Sequence, residues 1–211
     1  MKAFSIARLA AASALALALA ACGSDASEAL ADLPVGKAAP GFSIDDPSGR
    51  AVSLADFRGK TVVLEWSNPD CPTVQKHYES GNMQKTQAEA AAAGAVWLTI
   101  NSSAEGEQGH MTPAEAKAFA ASQPSRRTAY LLDPKGEVGR RYGAKATPHM
   151  YVINPAGTLV YRGAIDDKPT TDKADIAGAR NHVLAALSEL KAGKPVSVPS
   201  SRAYGCNVKY G

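Results

Sequence analysis

Thr61-Val62-Val63-Leu64-Glu65-Trp66-Ser67-Asn68-Pro69-Asp70-Cys71-Pro72 is the stretch on which the fold turns. Its first six residues are β-branched or apolar apart from Glu65, a run of strand length that suits a central strand buried on both faces. Asn68-Pro69-Asp70 breaks that strand, and Pro72 stands where a helix favours proline, at its first position. Cys71 therefore lies between a strand end and a helix start. The unpaired N–H groups and the positive dipole end gathered there favour an anion. A thiol at such a place is expected to ionise below the free value of about 8.5. The opposing possibility is a buried, inert cysteine, the common state of free thiols. The polar neighbours Asn68, Asp70 and Thr73 suggest instead a solvent-facing turn and a reactive sulfur.

Working outward, the helix is expected to run from Pro72 towards Tyr78, pause at Ser80-Gly81, and resume from Asn82 to Ala93 before Gly94. Residues 95–101 form a second buried strand and 129–132 a third. Between them Thr112-Pro113-Ala114-Glu115 opens a helix with a cap, an early proline and a capping-box glutamate. Glu137 to Tyr142 is a short helix closed by Gly143. Two hairpins flank this succession: 40–44 with 51–54 around Asp45-Asp46-Pro47-Ser48-Gly49, and 150–153 with 158–161 around Asn154-Pro155-Ala156-Gly157. A last helix is expected over Lys173 to Lys191. The order is α/β, with parallel central strands joined by crossovers and an antiparallel hairpin at one side.

The chain of 211 residues begins with a segment that does not read as fold. Lys2 and Arg8 precede an Ala/Leu-rich stretch, Leu9 to Leu19, too short to span a bilayer, which takes about 20 apolar residues. It has the form of a secretory signal. Leu19-Ala20-Ala21-Cys22-Gly23 resembles the lipobox of bacterial lipoproteins, which implies a signal peptide over 1–21 and lipidation of Cys22. Residues 22–33 then read as a flexible tether, 34–192 as the folded domain and 193–211 as a Pro- and Ser-rich tail carrying Cys206. With no Asp next to Cys22, the expected location is a bacterial membrane facing the periplasm, the outer membrane in a Gram-negative cell. Loss of Lys2 and Arg8 leaves 21 basic residues against 20 acidic ones, a balance that gives no argument for nucleic acid. Of three cysteines, lipidation takes one. Cys71 and Cys206 remain, in an oxidising compartment, as a structural bridge or as a cycling pair.

Residues 42–66 resemble the opening of thioredoxin-like redoxins and, more broadly, of the alkyl hydroperoxide reductase/thiol-specific antioxidant family. Tyr142-Gly143-Ala144-Lys145-Ala146-Thr147-Pro148-His149-Met150-Tyr151 is similar to that family's Thr-cis-Pro segment and the strand after it. Cys71-Pro72-Thr73-Val74, Tyr161-Arg162-Gly163-Ala164-Ile165-Asp166-Asp167 and Tyr204-Gly205-Cys206 add a peroxiredoxin-like character. The resemblance spans roughly 34–211 and implies a thioredoxin-like fold, with a central mixed sheet flanked by helices and an N-terminal β-hairpin. It implies a cis peptide before Pro148, with Thr147 and Pro148 lying against Cys71. Glu65 stands where thioredoxins carry a buried acid that handles the thiol proton, with an edge-facing carboxylate as the alternative. Arg162 stands as the thiolate-stabilising arginine of peroxiredoxins, with a solvated strand-end arginine as the alternative.

The motif also departs from the family. Position 74 is Val, so the second thiol of a Cys-x-x-Cys site is absent. Where a peroxiredoxin carries Pro and Thr or Ser, seven and three residues before its cysteine, this chain has Leu64 and Asn68; of the two only Asn68 can hydrogen-bond. The chemistry then rests on Cys206 as the resolving thiol or on a thiol from another molecule. Cys71 and His77, six apart, fall on different faces of a helix, and no spacing of His149, His77 and the cysteines fits a closed zinc site; no metal or other cofactor is expected. The expected function is a thiol oxidoreductase acting on a peroxide or a protein disulfide, recharged by an external thiol reductant. The competing function is a lipid-anchored, non-catalytic binding module stapled by a Cys71–Cys206 disulfide.

Overall fold

The computed structural model describes Met1 and residues 33–211. The signal segment, Cys22 and nearly all of the tether at 22–33 lie outside the described residues. In chain order the elements are β1 (Ser43–Asp45), β2 (Ala51–Ser53), a 3-10 turn (Leu54–Phe57), β3 (Val62–Trp66), α1 (Pro72–Glu79), α2 (Asn82–Ala92), β4 (Val96–Asn101) and α3 (Pro113–Ser122). There follow β5 (Ala129–Leu132), α4 (Glu137–Tyr142), β6 (Ala146–Thr147), β7 (His149–Ile153), β8 (Leu159–Gly163), a second 3-10 turn (Lys173–Gly178), α5 (His182–Lys191) and β9 (Cys206–Asn207).

Five strands form a mixed sheet in the order β5-β4-β3-β7-β8. β3 pairs in parallel with β4, and β4 with β5, as the helical crossovers require, while β7 runs antiparallel to both β3 and β8. All residues of β3 and β4 are buried, because successive side chains enter opposite layers and both layers are apolar. Leu64, Trp66, Leu98, Ile100 and Tyr151 pack with Tyr142 and the N-terminal hairpin on one face. Val63, Trp97, Met150 and Val152 pack with Met83, Val183 and Leu187 of α2 and α5 on the other. Each such aliphatic side chain contributes about 1.5–3 kcal/mol by leaving water. The carboxyl end of β3 is thereby held rigid at the centre of the sheet, and Cys71 stands on it.

One expectation is corrected. The helix foreseen over Lys173–Lys191 is two elements. Gly178 ends the 3-10 turn, and the Asn181 side chain caps α5 by accepting the Leu184 N–H at 3.0 Å. The tail is tied to the domain. β9 pairs antiparallel with β6, Ala146 opposite Asn207 and Thr147 opposite Cys206. Beyond it Ala104 N–H donates to Lys209 O at 2.8 Å, and Tyr210 donates to Ala144 O, also at 2.8 Å. The Tyr210 ring lies so close to Gly139 that a Cβ there would overlap it.

Candidate active site

Cys71 is the N-cap of α1, with φ −82° and ψ 121°, and Pro72 follows at the first helical position. Its N–H donates to Asn68 O at 3.1 Å, and its carbonyl accepts the Gln75 N–H at 2.9 Å, closing the first turn. The turn before it is built by Asn68, whose Oδ1 accepts the Asp70 N–H at 2.9 Å while Nδ2 donates to Gln108 O at 3.0 Å. Asn68 thus shapes the loop through backbone partners, and its side chain is not among the groups bonded to the sulfur.

The sulfur itself is fully buried. This corrects the expectation of a solvent-facing turn, and the cause is non-local: the tail lies across it. As a thiol, Cys71 donates to Thr147 O at 3.2 Å, and the Cys206 N–H points at its Sγ at 3.4 Å. The Thr147–Pro148 peptide is cis. The Thr147 hydroxyl reaches Cys206 O at 3.4 Å. The chain therefore brings Cys71, Thr147, Pro148 and Cys206 together.

The two thiols are unequal. Burial pushes the Cys71 pKa up, but donors to the thiolate outweigh it: the Cys206 thiol, the Thr147 hydroxyl and the Val74 and Cys206 N–H groups. The net direction is downward. Cys206 moves the other way, to about 11, through burial, through donation of its own proton to Cys71 and through the charge that Cys71 carries. The two thiols are thus shifted in opposite directions, Cys71 towards the thiolate and Cys206 towards the protonated form.

The other expected residues stand farther out. Glu65 is fully buried, which settles its orientation: it accepts from Trp97 Nε1 at 2.8 Å, Tyr78 OH at 2.9 Å, Thr99 Oγ1 at 3.0 Å and Gln87 Nε2 at 3.5 Å. Among the described residues Cys71 is not one of these donors. Arg162, on edge strand β8, lines a cavity of about 830 Å³ beside the tail, together with Lys145, His149 and Tyr204. His149 stacks on Tyr151 with ring centroids 4.6 Å apart. Among the described residues no group of three His, Cys, Asp or Glu is placed to hold a metal ion.

His77 meets the same tail segment as Cys71, but at Tyr204 rather than at Cys206. Its Nε2 is 3.2 Å from the Tyr204 hydroxyl, which donates to Asp166 Oδ1 at 2.5 Å. Sequence reasoning missed Tyr204 and Asp166 as site residues. Tyr204 lies outside β9, and the bend at Gly205, with φ +122°, that places it has no signal in side-chain spacing.

A model of the AhpC/TSA family matches residues 35–162. The chain belongs to the AhpC/TSA family. Cys206 and Tyr204 lie beyond the matched residues. The chain is 29% identical over 144 residues to the thioredoxin-like protein YneN of Bacillus subtilis (strain 168), covering 67% of this chain and 79% of that one. Among solved structures, an uncharacterized conserved protein from Geobacillus kaustophilus is similar at a TM-score of 0.69 and 26% identity, over 84% of this chain and 93% of that one. A candidate thiol:disulfide interchange protein DsbE from Chlorobium tepidum is similar at a TM-score of 0.51 and 27% identity, over 62% and 85% of the two chains. The AhpC/TSA chain described here has the thioredoxin-like fold, a mixed five-stranded sheet flanked by helices.

Proposed function

We propose that this AhpC/TSA protein is a thiol oxidoreductase of the cell envelope in which Cys71 attacks the substrate and Cys206 resolves the product. The observation that carries this reading is geometric: the β6–β9 pairing holds the Cys206 N–H 3.4 Å from Cys71 Sγ, beside the cis Thr147–Pro148 peptide, so that both thiols of the described residues share one site. With a hydroperoxide, the Cys71 thiolate takes the terminal oxygen, the O–O bond breaks, and the alkoxide or hydroxide leaves with a proton. Cys206 then attacks the resulting sulfenic acid and water departs, leaving the Cys71–Cys206 disulfide. With a protein disulfide, Cys71 forms a mixed disulfide and expels one thiolate; Cys206 displaces the other. In either case an external dithiol must reduce the internal disulfide. Asn68 supports the loop, and Thr147 with Pro148 forms the wall against which the sulfur reacts.

The family and the resemblance to a candidate interchange protein support the thiol chemistry. For location, the reading rests on the residues: the signal-like start, the lipobox-like Leu19-Ala20-Ala21-Cys22 and the acidic tether. Lipidated Cys22 would anchor the domain to the membrane; among the described residues no helix is long and apolar enough to cross one. The alternative of a static staple is favoured by one fact, the complete burial of Cys71. Equilibration of the pair with a glutathione or dithiothreitol buffer decides. A potential below about −300 mV marks a structural bridge and sinks the cycle. A higher value, together with hydrogen peroxide consumption by the reduced protein that is lost in Cys71→Ser, supports it.

A further inference from the structure

The structure assigns a positioning role to Tyr204: its hydroxyl, held between His77 and Asp166, latches the tail so that Cys206 lies over Cys71. This inference rests on the proposed Cys71–Cys206 redox cycle. Tyr204 is two residues before Cys206, across Gly205 with φ +122°, and the Tyr204 hydroxyl meets His77 while the Cys206 N–H meets Cys71 Sγ. His77 is six residues after Cys71, about 9 Å along α1 at 1.5 Å per residue. The tail therefore runs beside the helix, presenting Cys206 to its first residue and Tyr204 to its last turn.

The latch has a definite direction. Asn82 Nδ2 donates to His77 Nδ1 at 2.8 Å, leaving Nε2–H to donate to the Tyr204 oxygen, which in turn donates to Asp166 Oδ1. His77 is fully buried, and burial, with the Lys76 charge adding to it against Asp166, holds its pKa near about 4, so the ring is neutral and supplies one donor. Asp166 is 2% exposed, and its Oδ1 also accepts the Lys168 N–H at 3.0 Å. The loop carrying Lys168 is fixed from below by buried Lys76, whose Nζ donates to Lys168 O at 3.1 Å and Thr170 O at 3.0 Å. The Lys76 ammonium also lies 5.9 Å from the Tyr204 ring centre. Among the hydrogen bonds of the described residues none joins one of these side chains to the Cys71 sulfur, and Tyr204 and Asp166 lie beyond the family match. Their common effect is on the tail: they set how much of the time Cys206 is in place and Cys71 is covered.

The test uses the full chain with Tyr204→Phe, which keeps the ring and removes both hydrogen bonds. Two quantities are read. One is the rate at which iodoacetamide alkylates Cys71 in the reduced protein, assigned by mass spectrometry; the other is the ratio of internal disulfide to glutathione mixed disulfide at fixed glutathione poise. Loss of a hydrogen bond to a charged partner predicts alkylation faster by about tenfold or more, and an internal-disulfide ratio lower by a similar factor. The urea midpoint reports whether the fold is intact. Asp166→Ala should produce both changes in the same direction, Asp166→Asn, which keeps an acceptor oxygen, should recover most of them, and the Tyr204→Phe/Asp166→Ala pair should add nothing beyond Tyr204→Phe. Native alkylation and disulfide ratios in Tyr204→Phe, or additive effects in the pair, overturn the latch. If Tyr204→Phe does not fold, native values in Asp166→Ala overturn it equally. Alkylation needs no turnover, so the latch can fail while peroxide consumption still depends on Cys71, and the redox reading can fail while the latch holds.

Discussion

Gly205→Ala tests the tail where it has least room. Gly205 has φ +122°, and a Cβ on it would sit inside the van der Waals radius of the Thr147 carbonyl oxygen, with the Thr147 carbonyl carbon at 3.0 Å and Thr73 Cβ at 3.2 Å. The first two are backbone atoms of the Thr147–Pro148 segment, and Thr73 is buried in α1, so nothing nearby can yield. Alanine must also adopt a backbone region that costs about 1–3 kcal/mol. Separation of β9 from β6 relieves both terms. It gives up the two-residue ladder, the Cys206 N–H contact to Cys71 Sγ and the Thr147 hydroxyl bond to Cys206 O. Against strain of about 2 kcal/mol or more, the local equilibrium shifts towards the open tail by about 30-fold or more. The expected result is alkylation of Cys71 faster by that factor, with a global urea transition close to native, because the sheet and its two apolar layers are untouched. Protection of Cys71 equal to native would refute the view that the tail is what buries the sulfur.

Three further outcomes are expected. Absorbance at 240 nm against pH should show one thiolate forming below the ordinary thiol range and lost in Cys71→Ser, with the second forming only near about pH 11; in Cys71→Ser, Cys206 should fall back towards ordinary values, since both the accepting sulfur and its charge are gone. The unfolded chain binds a proton at His77 below about pH 6.5, the folded chain only below about 4, so stability should fall by about 3 kcal/mol as pH drops through that window, and His77→Gln should flatten urea-derived stability there. Glu65→Gln places an amide among Tyr78, Trp97, Thr99 and Gln87 donors and should cost about 1–3 kcal/mol in a urea melt, an unchanged midpoint counting against the network.

How much of this was legible in the sequence follows from the range of the interactions involved. The strand end, the break and the helix start around Cys71 are local, and Thr61 to Pro72 carries them in its own side chains. The buried face of Glu65 follows from a central strand, but its donors come from α1, α2 and β4 and have no local signal. The break between Gly178 and Asn181 was written in a glycine and a capping side chain, and was masked by the Ala- and Leu-rich residues that follow. The tail was least legible. β9 is two residues long and has no apolar period, and the contact that buries Cys71 spans 135 positions in the chain.

That covering contact bears on what the thiol pair can do. A cysteine at the end of a central strand is ordinarily open, and here its burial comes from the very segment that holds the second thiol. On the proposed cycle, any movement that admits an oxidant to Cys71 would also draw Cys206 away, and the return of the tail would both exclude solvent and deliver the resolving thiol. The lowered Cys71 pKa depends in part on donors from that same segment, so an open tail should leave a sulfur that is more accessible and less acidic. The alkylation rate of Gly205→Ala against pH separates the two: greater access raises the rate at every pH, while loss of the Cys206 donors moves its midpoint upward. A raised plateau with an unmoved midpoint would show that the helix start and Thr147 alone stabilise the thiolate.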